Sequence, residues 1–215
     1  MTTQALLEEL PPAQRLALAY APRRVRRACL APLALDARLA GILRRKGEPV
    51  LAQMRFAWWR EMLGKDKASW PGGDAVLGLL AEWRHPATLI PLIDGWEGLL
   101  AESLEPATVD AFAEGRGQAF ARLASELGEP SARAQVCGMW FALGDLAANL
   151  EANEERATVL AAAAALPPCG NLPRSLRPLA MLAGLARRSL KRGGTPLLDG
   201  PGAAVLAVRV GIFGR

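Results

Sequence analysis

The sequence predicts an all-α fold, built as a single multi-helix domain over residues 1–215. Apolar residues recur at three- and four-residue spacing along nearly the whole chain, the period of a helix face. Gly and Pro clusters cut that pattern into helix-length segments. The alternation of β-branched residues that marks strands is missing, with Ala203–Val210 the one stretch that approaches it. Hydrophobic residues make up 51% and charged residues 22% of the chain, enough for one sizeable core and too apolar for a disordered chain.

The periodicity places helices at 12–20, 23–45, 48–66, 74–84, 86–104, 106–127, 131–150, 151–165, 173–191 and 202–212. The breakers between them include Gly47-Glu48-Pro49, Pro71-Gly72-Gly73, His85-Pro86, Gly128-Glu129-Pro130, Pro167-Pro168 and Gly193-Gly194. Pro32 and Pro91 fall inside two of these helices and are expected to kink or divide them. Small residues concentrate in Ala111–Ala124, Ala132–Ala148 and Ala161–Ala165. They fit either close packing of facing helices or the wall of a cavity for a long apolar ligand.

Composition narrows the function. A net charge of +5 favours acidic partners, but the arginines are scattered along helices and no recognition helix or aromatic ladder accompanies them. Nucleic acid is therefore not expected as a partner. One tight basic cluster, Arg23, Arg24, Arg26 and Arg27, is a candidate contact for an anionic surface or simply a solvated patch. Cys29, Cys137 and Cys169 are far apart in sequence and form no CxxC pair, so neither a zinc site nor a disulfide framework is expected. His85 is the single histidine, which excludes a histidine-rich metal site and a Ser-His-Asp triad. It precedes Pro86 and reads as a helix boundary.

The start, MTTQALLEELPP, lacks the basic n-region and apolar h-region of a signal peptide. No apolar run approaches the roughly 18 residues of a membrane span. The expected location is cytoplasmic, with a peripheral contact at the inner face of the membrane left open by the basic cluster.

Residues 48–66 carry the most information. Leu51, Met54, Trp58, Trp59 and Met62 gather on one side, and Arg55 falls in the middle of that face. A guanidinium cannot shed its charge, so burial there requires an acid. Asp36, on the apolar face of the preceding helix, is the expected partner. An Asp36–Arg55 ion pair would tie the two helices together; otherwise one of the two reaches solvent. Asp94 and Glu97 share a face that either borders a pocket or is solvated. Trp70, Trp83, Trp96 and Trp140 are dispersed and read as packing residues.

The runs LALAYAPRRVRRACLAPLALDARLAGI and EPVLAQMRFAWWREML resemble the N-terminal region of the squalene/phytoene synthase family. HPATLIPLIDGWEGLL, the small-residue helix Val109–Leu127 and LPRSLRPLAMLAGLARRSL are similar to later family segments in the same order. The resemblance spans most of the chain and implies the isoprenoid synthase fold with a central cavity. Active members hold Mg²⁺ on two aspartate-rich motifs from facing helices, which promotes departure of a prenyl diphosphate. Here the first motif corresponds to Ala40, Gly41 and Arg44, none of which ligates a metal. The second corresponds to GDLAANLEANEE, leaving Asp145, Asn149 and Glu151. Asp36, Asp145 and Glu151 are thus the candidate catalytic acids, and Asp145 and Asn149 the candidate metal ligands or a solvated helix end.

The resemblance implies a divergent bacterial member that has lost catalysis. It is similar in character to the mitochondrial complex I assembly factor of this superfamily. The expected role is a pseudoenzyme that binds a protein partner or an apolar isoprenoid or lipid, with no cofactor. The alternative is a prenyltransferase with a rearranged Mg²⁺ site drawn from Asp36, Asp94, Asp145 and Glu151.

Overall fold

A computed structural model describes residues 3–45 and 48–213. Their regular structure is helical, with no strand among the described residues. The helices are α1 (Thr3–Glu9), α2 (Pro12–Ala19), α3 (Arg23–Arg44), α4 (Pro49–Gly64), α5 (Ala75–Leu80), α6 (Ile90–Gly98), α7 (Pro106–Glu126), α8 (Ser131–Asn149), α9 (Asn153–Ala165), α10 (Arg177–Lys191) and α11 (Gly200–Phe213). Short 3₁₀ turns occupy Lys67–Ser69, Pro86–Leu89 and Arg174–Leu176.

The boundaries follow from local chemistry. Pro12, Pro49, Pro91, Pro106 and Pro178 sit in the first turns of their helices, where a missing N–H costs nothing. Pro91 therefore divides the long segment expected at 86–104 into a 3₁₀ turn and α6. Pro32, by contrast, lies inside an unbroken α3. Gly128 ends α7 with φ +72° and Gly193 follows α10 with φ +76°, a left-handed conformation that other residues avoid. The segment Ala203–Val210 is helical, because α11 packs Ala203, Ala207 and Val210 at helical spacing into the core.

The central pair is α7 and α8, with α6 packed on α7 and α10 on α8. Helices α2 and α11 cover α10, while α3 touches α1, α4, α5, α6 and α7. The small residues serve close packing. A Cβ placed on Gly138 would lie 2.9 Å from the Cα of Gly117, so α7 and α8 cross nearly backbone to backbone. At Gly144 an added Cβ would stand 2.4 Å from the Cβ of Ala186, which fixes the distance of α8 from α10.

One expectation about the cysteines is overturned. Cys137 on α8 and Cys169 in the loop after α9 form a disulfide, their Cα atoms 5.1 Å apart. The chain between them, a sequence separation of 32, leaves along α8 and returns along α9, so distance in sequence says little about distance in space. Cys29 is free and buried.

Candidate functional site

On α7 the residues Val109, Phe112, Ala113, Phe120 and Leu123 recur at helical spacing and are all buried. Arg116 falls in the same stripe and is 1% exposed, the largest fully buried side chain among the described residues. On α8 the buried stripe Ala134, Cys137, Gly138, Phe141 and Ala142 runs on to Asp145. Asp36 is the buried acid of α3. Packing of α3, α7 and α8 brings these three charged side chains to one place.

Arg116 bridges the two acids. Its Nη2 donates to Asp36 Oδ2 at 2.5 Å and its Nη1 to Asp145 Oδ2 at 2.8 Å. The other Asp36 oxygen, Oδ1, accepts from Trp96 Nε1 of α6 at 2.8 Å. Gln14 Nε2 of α2 adds a second bond to Oδ2 at 3.1 Å. The guanidinium lies 4.1 Å from the ring centroid of Phe141, 5.4 Å from that of Trp96 and 5.6 Å from that of Phe112. Desolvated cation–π contacts of this kind strengthen as water is removed. Five helices, α2, α3, α6, α7 and α8, thus meet on one ionic cluster. Arg116 Nε and Gln14 Oε1 are buried without hydrogen-bond partners.

Burial pushes the Asp36 carboxyl up from its ordinary range, against the pull of Arg116 and the Trp96 hydrogen bond. Burial would lower the Arg116 guanidinium, but the Asp36 and Asp145 carboxylates more than offset this and hold it up. Arg116 therefore keeps a full charge in the core and needs its acids.

The expected Asp36–Arg55 pair does not form. Arg55 is exposed, and Asp36 is satisfied by Arg116, Trp96 and Gln14. The physical reason is that α4 lies at the edge of the domain and buries only Phe56, Trp59, Met62 and Leu63. The wider apolar arc that seemed to enclose Arg55 is left partly in solvent, with Leu51 48%, Met54 63% and Trp58 37% exposed.

The other candidates scatter. Glu151 is exposed beyond the end of α8. Asn149 turns its amide onto the Asp145 backbone carbonyl at 2.7 Å instead of joining the Asp145 carboxylate. Asp94 pairs with Arg60 of α4 at 2.7 Å, and Glu97 bonds the same guanidinium. His85 caps the Pro86–Leu89 turn and is exposed. In the basic cluster, Arg27 pairs with Glu82 and Arg26 donates to the carbonyls of Ala19 and Ala21. Arg23 and Arg24 are exposed. Among the described residues, no group of three or more His, Cys, Asp or Glu side chains is arranged to hold a metal.

A groove of about 380 Å³ separates α3 from α4. Ala37, Gly41, Ile42, Trp58 and Trp59 line it together with Arg45, Arg55 and the Glu9–Arg38 ion pair. Gly41, one of the positions that resemble the first aspartate motif, opens into this groove and not onto the Asp36–Arg116–Asp145 cluster. No described helix is long and apolar enough to cross a membrane. Comparison with family models, curated proteins and solved structures finds no match for this chain.

Proposed function

We propose that the chain is a non-catalytic protein resembling the squalene/phytoene synthases, which acts by binding a protein partner as an assembly factor. The observation that carries this reading is the placement of Arg116 between Asp36 and Asp145. Two acids on α3 and α8 that face one another are the natural seat of a shared divalent cation. Here an internal cation already fills the space between them, packed beneath Phe141 and Trp96. Ala40, Gly41 and Arg44, at the positions similar to the first motif, offer no carboxylate.

The alternative, prenyl transfer through a rearranged Mg²⁺ site, would need Asp36, Asp94, Asp145 and Glu151 to face one space. Asp94 instead engages Arg60, and Glu151 is exposed elsewhere. Binding is the better supported reading. Its surface is the outer side of α4, where Val50, Leu51, Met54 and Trp58 stand in solvent beside Arg45 and Arg55. Contiguous exposed apolar side chains mark interaction surfaces, and the Arg45 and Arg55 charges beside them suit a partner segment that is apolar with acidic flanks.

Two measurements test the reading. Incubation with farnesyl or geranylgeranyl diphosphate and Mg²⁺ should release no pyrophosphate above a buffer control; sustained turnover refutes the proposal. A photo-crosslinking residue at Met54 should capture a discrete protein in the source cell, whereas one at exposed Arg23 should not. Equal yields at both positions would remove α4 as the binding face.

A further inference from the structure

A second cavity, of about 450 Å³, opens between α10, α11 and the loop that carries Cys169. It shares no residue with the Asp36–Arg116–Asp145 cluster or with the α4 groove. Five cationic side chains line it: Arg187, Arg188, Lys191, Arg192 and Arg209. Arg187, Arg188 and Lys191 stand at i, i+1 and i+4 on α10, one helix face, Arg192 follows directly after the helix, and Arg209 approaches from α11. Among the described residues, no carboxylate lines the cavity. Among the described residues, Arg192 alone of the five is in an ion pair, with Asp199 at 3.1 Å.

The cations are positioned by their surroundings. Arg187 lies over the ring of Trp140 at 5.6 Å. Arg188 rests against the first turn of α11, its Nη2 3.0 Å from where a Cβ on Gly202 would stand. Arg188 Nη1 is buried with no hydrogen-bond partner, an arrangement that costs free energy until an acceptor arrives. Leu172, Leu206 and Val210 add an apolar part to the lining. A volume in the range of small-molecule sites, lined by both cations and hydrocarbon, suits an anionic head attached to an apolar chain. Planar guanidinium groups match phosphate oxygens through paired N–H donors.

We propose that this cavity binds a phosphate-headed amphiphile, the phosphate against Arg187, Arg188, Lys191 and Arg209 and the chain against Leu172, Leu206 and Val210. The proposal goes beyond the reading given above and is independent of it. Pyrophosphate release tests one, and affinity at α10–α11 tests the other.

The test is calorimetric titration of the full chain with three probes: inorganic pyrophosphate, dihexanoylphosphatidic acid and dihexanoylphosphatidylcholine. Phosphatidic acid should bind at least tenfold more tightly than either of the others, since it alone meets both the cationic and the apolar lining. Arg188→Gln with Arg209→Gln should weaken it at least tenfold, while Arg188→Lys should retain part of the affinity. Leu206→Asn should weaken phosphatidic acid but leave pyrophosphate within twofold. Arg23→Gln with Arg24→Gln removes the same charge elsewhere and should change nothing beyond twofold. Equal losses in that control, or no saturable phosphatidic acid binding below millimolar concentration, would overturn the proposal. Sedimentation with phosphatidic acid vesicles, against phosphatidylserine vesicles of equal charge, distinguishes the sources. Preference for phosphatidic acid vesicles supports a bilayer lipid, and binding of the soluble probe alone supports a free phosphate ester.

Discussion

Replacing Arg116 by methionine keeps most of the side-chain volume and removes the charge. Asp36, 3% exposed, would keep Trp96 and Gln14 but lose the cation 2.5 Å from its Oδ2. Removing one partner of a buried pair costs about 3–5 kcal/mol, because the other charge stays buried without compensation. For a chain of this size each kcal/mol lowers the melting temperature by about 2–4 °C, so a loss of roughly 6–20 °C is expected. Urea unfolding at pH 7 followed by circular dichroism gives the free energy directly. A pH series identifies the cause. The Asp36 carboxyl is already raised by burial, and without Arg116 it rises further. The native variant then holds a proton that the unfolded chain has released, so its stability falls as pH rises through that window. Acidification from pH 7 to pH 5 should therefore restore part of the loss. Asp36→Leu with Arg116→Met removes both charges and should recover most of the stability, or exceed the parent. A loss below 1 kcal/mol for Arg116→Met, with no recovery in acid, would refute the cluster as the centre of the fold.

Four further outcomes follow from the packing. Burial pushes the Cys29 thiol up to about 12, so its stabilising contribution is complete below pH 9 and is lost as pH rises toward 12. In that window the loss is roughly 1.4 kcal/mol per pH unit, and Cys29→Ala should flatten this part of the urea-derived stability profile. Breaking the Cys137–Cys169 bond, which closes a 32-residue separation, should lower stability by about 2–4 kcal/mol; the Cys137→Ser, Cys169→Ser double variant measures it by urea midpoint. Gly144→Ala must displace Ala186 and should cost about 1–3 kcal/mol. Gly41→Ala, with nothing within 4 Å of the new methyl, should instead gain about 0.5–1 kcal/mol in thermal melts.

Helical architecture was legible because each core helix repeats its apolar residues at the helical period between Pro and Gly stops. The first helix, Thr3–Glu9, is not legible in the sequence because its seven residues hold too little pattern to separate from a tail. The partner of Asp36 is hidden in the sequence for a related reason. Phase shows which residues share a face, but not how much of that face a neighbour covers. Arg55 and Arg116 both sit within apolar arcs; α7 is enclosed by α6, α8 and α9, whereas α4 is covered on one side. The signal for Arg116 was present in the spacing of Val109, Phe112, Ala113 and Phe120, and the run of small residues around it drew attention to packing instead. The disulfide was invisible in sequence because it depends on where the loop after α9 returns.

The position of Arg116 also bears on how the centre of this protein responds to its surroundings. A dissociable ion shared by Asp36 and Asp145 would be occupied according to its concentration, and its contribution would vary as the logarithm of that concentration. The guanidinium is tethered to α7, so its occupancy is decided once, by folding. Chelators and millimolar changes in Mg²⁺ should leave the melting temperature where it is. The counterion cannot be withdrawn without unfolding the chain.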